Sequence, residues 1–308
     1  MEFKKLSLIK LIVFFVLLIT LYSAYLDLSE GFVKSFSELL TYGPFVMFQV
    51  LSFQKIGLLI ALLIILFTNN YLLKSFDFLL NSFKKIKELI IILIVDALFF
   101  GLAYLLFKNA LQLFSKITIE SLNSEQAVLN DPSIIISYLK NIGFIGFGVL
   151  IAVFLIYTLS RSIIWRILVK KSLSINYFAN FFKYNFVWCL FWFIPLILVF
   201  FGLIAEFKQL GVAYLIIVFA HFSGVLHYSI ALEKNILKNF GLLSLGMFYY
   251  LLTPYALIYT GYIILITLFE FLLPTNYFAI TSYALFLLAM NILRISLTEI
   301  FNWLVKKK

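Results

Sequence analysis

Charged side chains are scarce in this sequence: they make up 12% of its 308 residues, against 64% for the hydrophobic types. Soluble domains carry about 25% charged and 45–50% apolar residues, so a soluble enzyme or binding module is excluded. The mean hydropathy of +1.09 places the chain among integral membrane proteins. Cysteine is nearly absent. The single Cys189 has no partner within the chain, which rules out an intrachain disulfide framework. Histidine is limited to His221 and His227, which stand about 120° apart around a helix, a poor geometry for a shared metal. No HExxH, GxSxG, paired-aspartate metal motif or glycine-rich phosphate loop occurs. The commoner catalytic signatures are therefore missing, and no catalytic residue, cofactor or metal is assigned.

What the chain does have is long apolar runs, and a helical span needs about 20 mostly apolar residues. Apolar runs at about 11–26, 56–73, 89–107, 141–160, 185–205, 211–232, 240–269 and 277–297 predict an all-α fold. The expected architecture is a polytopic transmembrane helix bundle of about eight spans, a single integral membrane domain over residues 1–308. The first run has the basic flank and apolar core of a signal peptide, but "LYSAYLD" offers no clear small-x-small cleavage site, so it is read as a retained span.

With eight spans and the N-terminus inside, most of the 24 basic residues gather on one side, among them Lys84, Lys85, Lys87, Arg161, Arg166, Lys170, Lys171 and Arg294. Lys and Arg enrichment marks the cytoplasmic side, so both termini are expected in the cytoplasm of a cell-membrane protein. Trp165, Trp188, Trp192 and Trp303 fall toward the same interface. The net charge of +10 is thus a topology signal rather than a nucleic-acid footprint. The basic face should attract anionic lipid headgroups at about 1 kcal/mol per nearby cation.

Several segments depart from a plain span. Residues 45–54, "FVMFQVLSFQ", are too short to cross alone and suggest an interfacial or re-entrant piece. The charge-free stretch between Lys238 and Glu270 would be about 46 Å long as one helix at ~1.5 Å per residue, too long for a hydrocarbon core of about 30 Å. It must tilt or break, with Pro254 the expected kink and Pro195 its counterpart in the fifth span. The loop 108–140 should hold a short helix capped by Asp131 and opened by Pro132. The C-terminal "LRISLTEIFNWLVKKK" is amphipathic, as expected of a helix leaving the membrane along its surface. "SLSINYFANFFKYN" loosely echoes "SFDFLLNSFKKIK", a weak trace of internal duplication.

Asp96 lies almost midway between Lys87 and Lys108, where a charge near the bilayer centre costs about 2.5–3.5 kcal/mol. His221 is the other ionisable group expected at similar depth, with His227 nearer the inner end. Ala97 and Gly101 on one helix, and Ala220 and Gly224 on the other, have the small-xxx-small spacing that lets helices approach. The expectation is that Asp96 meets His221 there, forming a proton-relay or binding site to which His227 also belongs. Three functions follow. A small-solute or lipid permease with a protonatable site leads. A non-catalytic accessory subunit that joins a membrane protein partner, or a homo-oligomer, is the alternative. An intramembrane enzyme has least support.

Overall fold

The computed structural model describes residues 10–23, 53–122, 132–202, 205–233, 235–246 and 248–306, and every regular element among them is helical. In chain order these are α1 (Lys10–Ser23), α2 (Phe53–Phe67), α3 (Asn69–Lys84), α4 (Ile86–Leu122), α5 (Pro132–Leu168), α6 (Ile175–Gly202), α7 (Ala205–Leu232), α8 (Ile236–Gly241), α9 (Phe248–Leu272) and α10 (Thr275–Lys306). A five-residue π-helical turn, Leu242–Gly246, follows α8. Residues 45–52 and Asp131 lie outside the described residues.

Among the described residues, five helices are long and apolar enough to cross a membrane: Ile86–Lys116, Leu139–Leu168, Ile175–Val199, Tyr250–Glu270 and Ile280–Val305. The bent pair Gly57–Phe67 and Tyr71–Lys84 would make a sixth if it counts as one crossing. By length and composition the chain is a multi-pass membrane protein. The apolar helices Lys10–Ser23 and Val218–Leu232 are shorter.

The helices overrun several expected boundaries. α4 and α5 each have 37 residues, about 55 Å at ~1.5 Å per residue, well beyond a hydrocarbon core of about 30 Å. Residues 108–122 are therefore helix rather than loop. Pro132 opens α5 directly, where its missing N–H costs nothing, instead of starting a separate short helix. Within 240–269 the regular α-helix gives way to the π turn, which begins after Gly241 and ends at Gly246, and Pro254 lies inside α9. Pro195 likewise lies inside α6.

The chain divides into two compact units, Met1–Leu89 with Gly241–Lys308, and Ile90–Phe240. In the first, α9 packs against α2 and α10, and α3 packs against α10 and α9. Its apolar core joins Val13 and Leu17 of α1, Leu58, Leu62 and Ile65 of α2, Leu72 of α3 and Ala256 and Ile263 of α9, each set at the three-to-four spacing of a helix face. Gly57 allows the closest approach: a Cβ there would lie 2.6 Å from the Tyr259 hydroxyl oxygen and 2.9 Å from Cζ.

α3 is the amphipathic member of this unit. Leu72, Ser75 and Ser82 are buried, while Phe76, Leu80, Phe83 and Lys84 are exposed. Ser82 is hydrogen-bonded to Ser296 of α10 at 2.8 Å, and Lys85 pairs with Glu299 at 2.6 Å. The C-terminal segment differs from its expected surface position. Leu297, Ile300, Phe301 and Leu304 are buried because α10 continues to Lys306 and uses that stripe as core.

In the second unit α6 packs on α7, and α5 packs on both. Ser174 caps α6, its Oγ accepting from the Tyr177 N–H at 3.2 Å, the usual relation of a cap to the third helical residue. α5 ends in a double-bonded αL cap: Lys170 has φ 55°, its N–H donates to Ile167 O, and that of Lys171 donates to Arg166 O. Glycine is the common residue at such a position.

Candidate functional site

Both units bury serines and threonines, but among the described residues the buried Asp, Arg and His side chains all belong to the second. The C-terminal half of α5 buries Thr158, Ser160, Arg161, Ser162 and Arg166; the first turns of α6 bury Tyr177 and Asn185; the last turns of α7 bury His221, Ser223, His227 and Ser229. α4 adds Asp96, ten residues beyond its first residue Ile86. Its buried stripe runs Leu89, Ile92, Asp96, Phe99, Ala103 and Ala110, a three-and-four repeat that aims the carboxylate inward with the apolar positions. Ala97 and Gly101 are exposed, as is Ala220, and a Cβ on Gly101 would touch nothing. The small-residue stripes of α4 and α7 are therefore not the packing seam; on α7 Gly224 alone comes near a neighbour, Trp165, at 3.9 Å.

The counter-charge of Asp96 is Arg161. Its Nη1 donates to Asp96 Oδ1 at 2.6 Å, with Asp96 fully buried and Arg161 5% exposed. Such a charge-assisted bond offsets much of the cost of burying both ions. The guanidinium carbon lies 5.2 Å from the ring centroids of both Phe99 and Tyr157, which adds cation–π attraction in a dry setting.

Tyr157 is the shared wall between this pair and a second polar group. Its ring centroid is 5.8 Å from that of Phe99 and 6.0 Å from that of His227. His227 lies against Phe181 at 4.8 Å and its Nε2 is 2.9 Å from Asn185 Oδ1. Because an amide oxygen only accepts, Nε2 carries the hydrogen in this arrangement. The Asn185 amide nitrogen donates in turn to Thr158 Oγ1 at 2.8 Å. His221 is buried further back on α7, with its ring 5.1 Å from that of Phe222. The structure thus assembles Asp96 and Arg161 beside His227, Asn185 and Thr158 on four helices.

A further cation cluster closes the end of the unit. Arg166 Nη1 donates to the Ala231 carbonyl at 2.9 Å and Nη2 to Glu233 Oε1 at 2.8 Å, while its Cζ lies 4.0 Å from the Tyr177 ring centroid. Lys171 Nζ donates to the Leu232 carbonyl at 2.6 Å. Both cations satisfy the last carbonyls of α7, where the helix dipole favours positive charge. Tyr177 itself donates to the Ser162 carbonyl at 2.9 Å.

Sequence reasoning missed Arg161, Asn185 and Thr158. A fourth span ending at residue 160 places Arg161 among the inner-loop cations; the apolar Ile163, Ile164, Trp165, Ile167 and Leu168 that follow are the signal that the helix runs on. Among the described residues no three His, Cys, Asp or Glu side chains gather to hold a metal ion. No protein-family model, curated protein or solved structure matches the chain.

Proposed function

We propose that this multi-pass membrane protein is a permease for a small solute, with the polar core of its second unit as the site. One observation carries the reading: a carboxylate and a guanidinium, both buried within apolar helices, stand beside a hydrogen-bonded His227. An ion pair in such a place is weak as a source of stability. Intramembrane ionisable groups commonly mark substrate or proton pathways. In this reading α1, α2, α4, α5, α6, α7, α9 and α10 make eight crossings. Both termini are then cytoplasmic, in a cell membrane whose anionic headgroups meet Lys74, Lys84 and Lys87. Pro195 and Pro254, each inside a long apolar helix, are the candidate points of bending.

The test is flux in liposomes with a proton gradient. Asp96→Asn should leave the protein folded and abolish proton-dependent uptake; uptake at the wild-type rate would refute the assignment. An impermeant thiol probe on Lys116→Cys and Lys170→Cys, in a Cys189→Ala background, tests the orientation, since only the first should react from outside.

The second reading, an accessory subunit, is favoured by the membrane-crossing stretches of α5 and α6, which expose most of their apolar residues, such as Phe147, Leu150, Phe191 and Ile194. A stoichiometric membrane partner or a second copy on this surface, found by native mass measurement after mild extraction, would support it. A lone monomer would remove it.

A further inference from the structure

Lys74 and Ser75 stand side by side on α3, and neither spends its polar atoms on the protein. The buried serines Ser82, Ser162 and Ser296 each donate to a carbonyl three or four residues back, the usual outlet for a hydroxyl within a helix. Ser75 is 3% exposed, yet among the described residues its Oγ makes no hydrogen bond, and Lys74 makes neither an ion pair nor a hydrogen bond. What Lys74 meets is an aromatic ring, its Nζ lying 3.7 Å from the Trp303 ring centroid. The ring of Tyr250 is 6.0 Å from that of Trp303 and 4.4 Å from that of Tyr71, and Phe78 lies 6.4 Å from Trp303. These six side chains, all in the first unit, line a cleft of about 10 Å³, room for roughly one water-sized oxygen.

The cleft lies where two crossing stretches end. Tyr250 is the first residue of Tyr250–Glu270, and Trp303 comes just before Val305, the last residue of Ile280–Val305. That is the level at which aromatic rings and lipid headgroups meet. We propose that Lys74 and Ser75 hold the phosphate of an anionic phospholipid in this cleft, with the rings of Tyr71, Tyr250 and Trp303 as its wall. Charge gives the reason. A ring face compensates an ammonium only in part, and the acidic side chains nearby do not complete it: Glu299 is paired with Lys85 at 2.6 Å, and Asp77, one turn further along α3, is exposed and makes no ion pair among the described residues. A phosphate oxygen entering the cleft accepts from Lys74 Nζ and from the Ser75 hydroxyl, one bond charge-assisted and one not, while the glycerol and acyl chains stay outside. A singly charged anionic lipid brings the site to neutrality. A zwitterionic lipid carries its own cation to Lys74 and leaves the charge unbalanced. The site goes beyond a diffuse attraction of headgroups to basic residues, and it is independent of the permease reading, which rests on the second unit.

The experiment uses the full chain, purified in mild detergent and stripped of native lipid, titrated with phosphatidylglycerol or with phosphatidylcholine of the same acyl chains; bound lipids are counted by native mass spectrometry. One phosphatidylglycerol should be held about tenfold more tightly than phosphatidylcholine, the size expected of one hydrogen bond to a charged group. Lys74→Met, which keeps an apolar stem against Trp303 and removes the charge, should lose that preference, and Lys74→Arg should keep it. Ser75→Ala should weaken binding of phosphatidylglycerol several-fold. Lys84→Met, which removes an exposed cation of the same helix, should change nothing. Equal binding of the two lipids, an undiminished preference in Lys74→Met, or an equal loss in Lys84→Met overturns the site, the last because it marks diffuse attraction. Displacement of the lipid by millimolar inorganic phosphate would make a soluble phosphate the occupant and overturn the lipid assignment. If Lys74→Met does not elute as a monodisperse peak, the wild-type preference and the Ser75→Ala and Lys84→Met titrations decide.

Discussion

Removing Arg161 alone should be among the most damaging single changes available to the second unit. In Arg161→Met the aliphatic stem is retained, but Asp96, fully buried on the inner stripe of α4, loses the Nη1 donor at 2.6 Å. Breaking one partner of a buried pair costs about 3–5 kcal/mol, because the remaining charge is left without compensation. The loss of two cation–π contacts at 5.2 Å adds about 0.5–1 kcal/mol each. The double variant Asp96→Leu/Arg161→Met removes both charges and fills the space with apolar atoms, an exchange that is often neutral or better. A double-mutant cycle should therefore give a coupling energy of at least about 3 kcal/mol, at or beyond the upper end for contacting residues. Unfolding of the reconstituted protein by SDS titration, followed by tryptophan fluorescence, is the assay. An Arg161→Met single variant as stable as wild type, or a double variant as unstable as the single, would refute the pairing as the compensation for Asp96.

Other positions carry sharper local tests. Gly57→Ala should destabilise the first unit by about 1–3 kcal/mol through overpacking, since the new methyl would meet Tyr259 Oη and Cζ; Tyr259→Leu should rescue it in the same SDS titration, and Tyr259→Phe should not. Arg166→Lys should cost about 1–2 kcal/mol despite keeping the charge, because a lysine cannot serve the Ala231 carbonyl, Glu233 and the Tyr177 ring at once; wild-type thermal stability in detergent would contradict this. Ser82→Ala should cost about 0.6 kcal/mol, the typical size of a membrane interhelical hydrogen bond. Adding Ser296→Ala should cost less than the sum of the single changes, as both serines share one bond.

The heptad-like stripes were legible in part. A reader of α4 could place Asp96 inside the membrane, but its partner is not written near it. Arg161 is 65 positions away, and the positive-inside rule places it among the loop cations. The contact depends on α5 continuing past residue 160, which periodicity alone leaves open because a membrane span and its cytoplasmic extension have the same helical repeat. Small-residue spacing misled for a related reason: Ala97 and Gly101 have the right interval but lie on the exposed side of α4, and spacing does not say which side of a helix a neighbour occupies.

The sequence by itself determined the class of molecule. Few charges and long apolar runs leave no alternative to helices in lipid, since backbone groups there must be satisfied within each segment. It also determined that a lone carboxylate on α4 needed compensation. Only the tertiary structure decided that an arginine supplies it, that His227 rather than His221 joins Asn185 and Thr158, and that the last turns of α10 are core. Those outcomes turn on which helix faces meet and how far each helix runs, and both are set by packing between segments far apart in the chain.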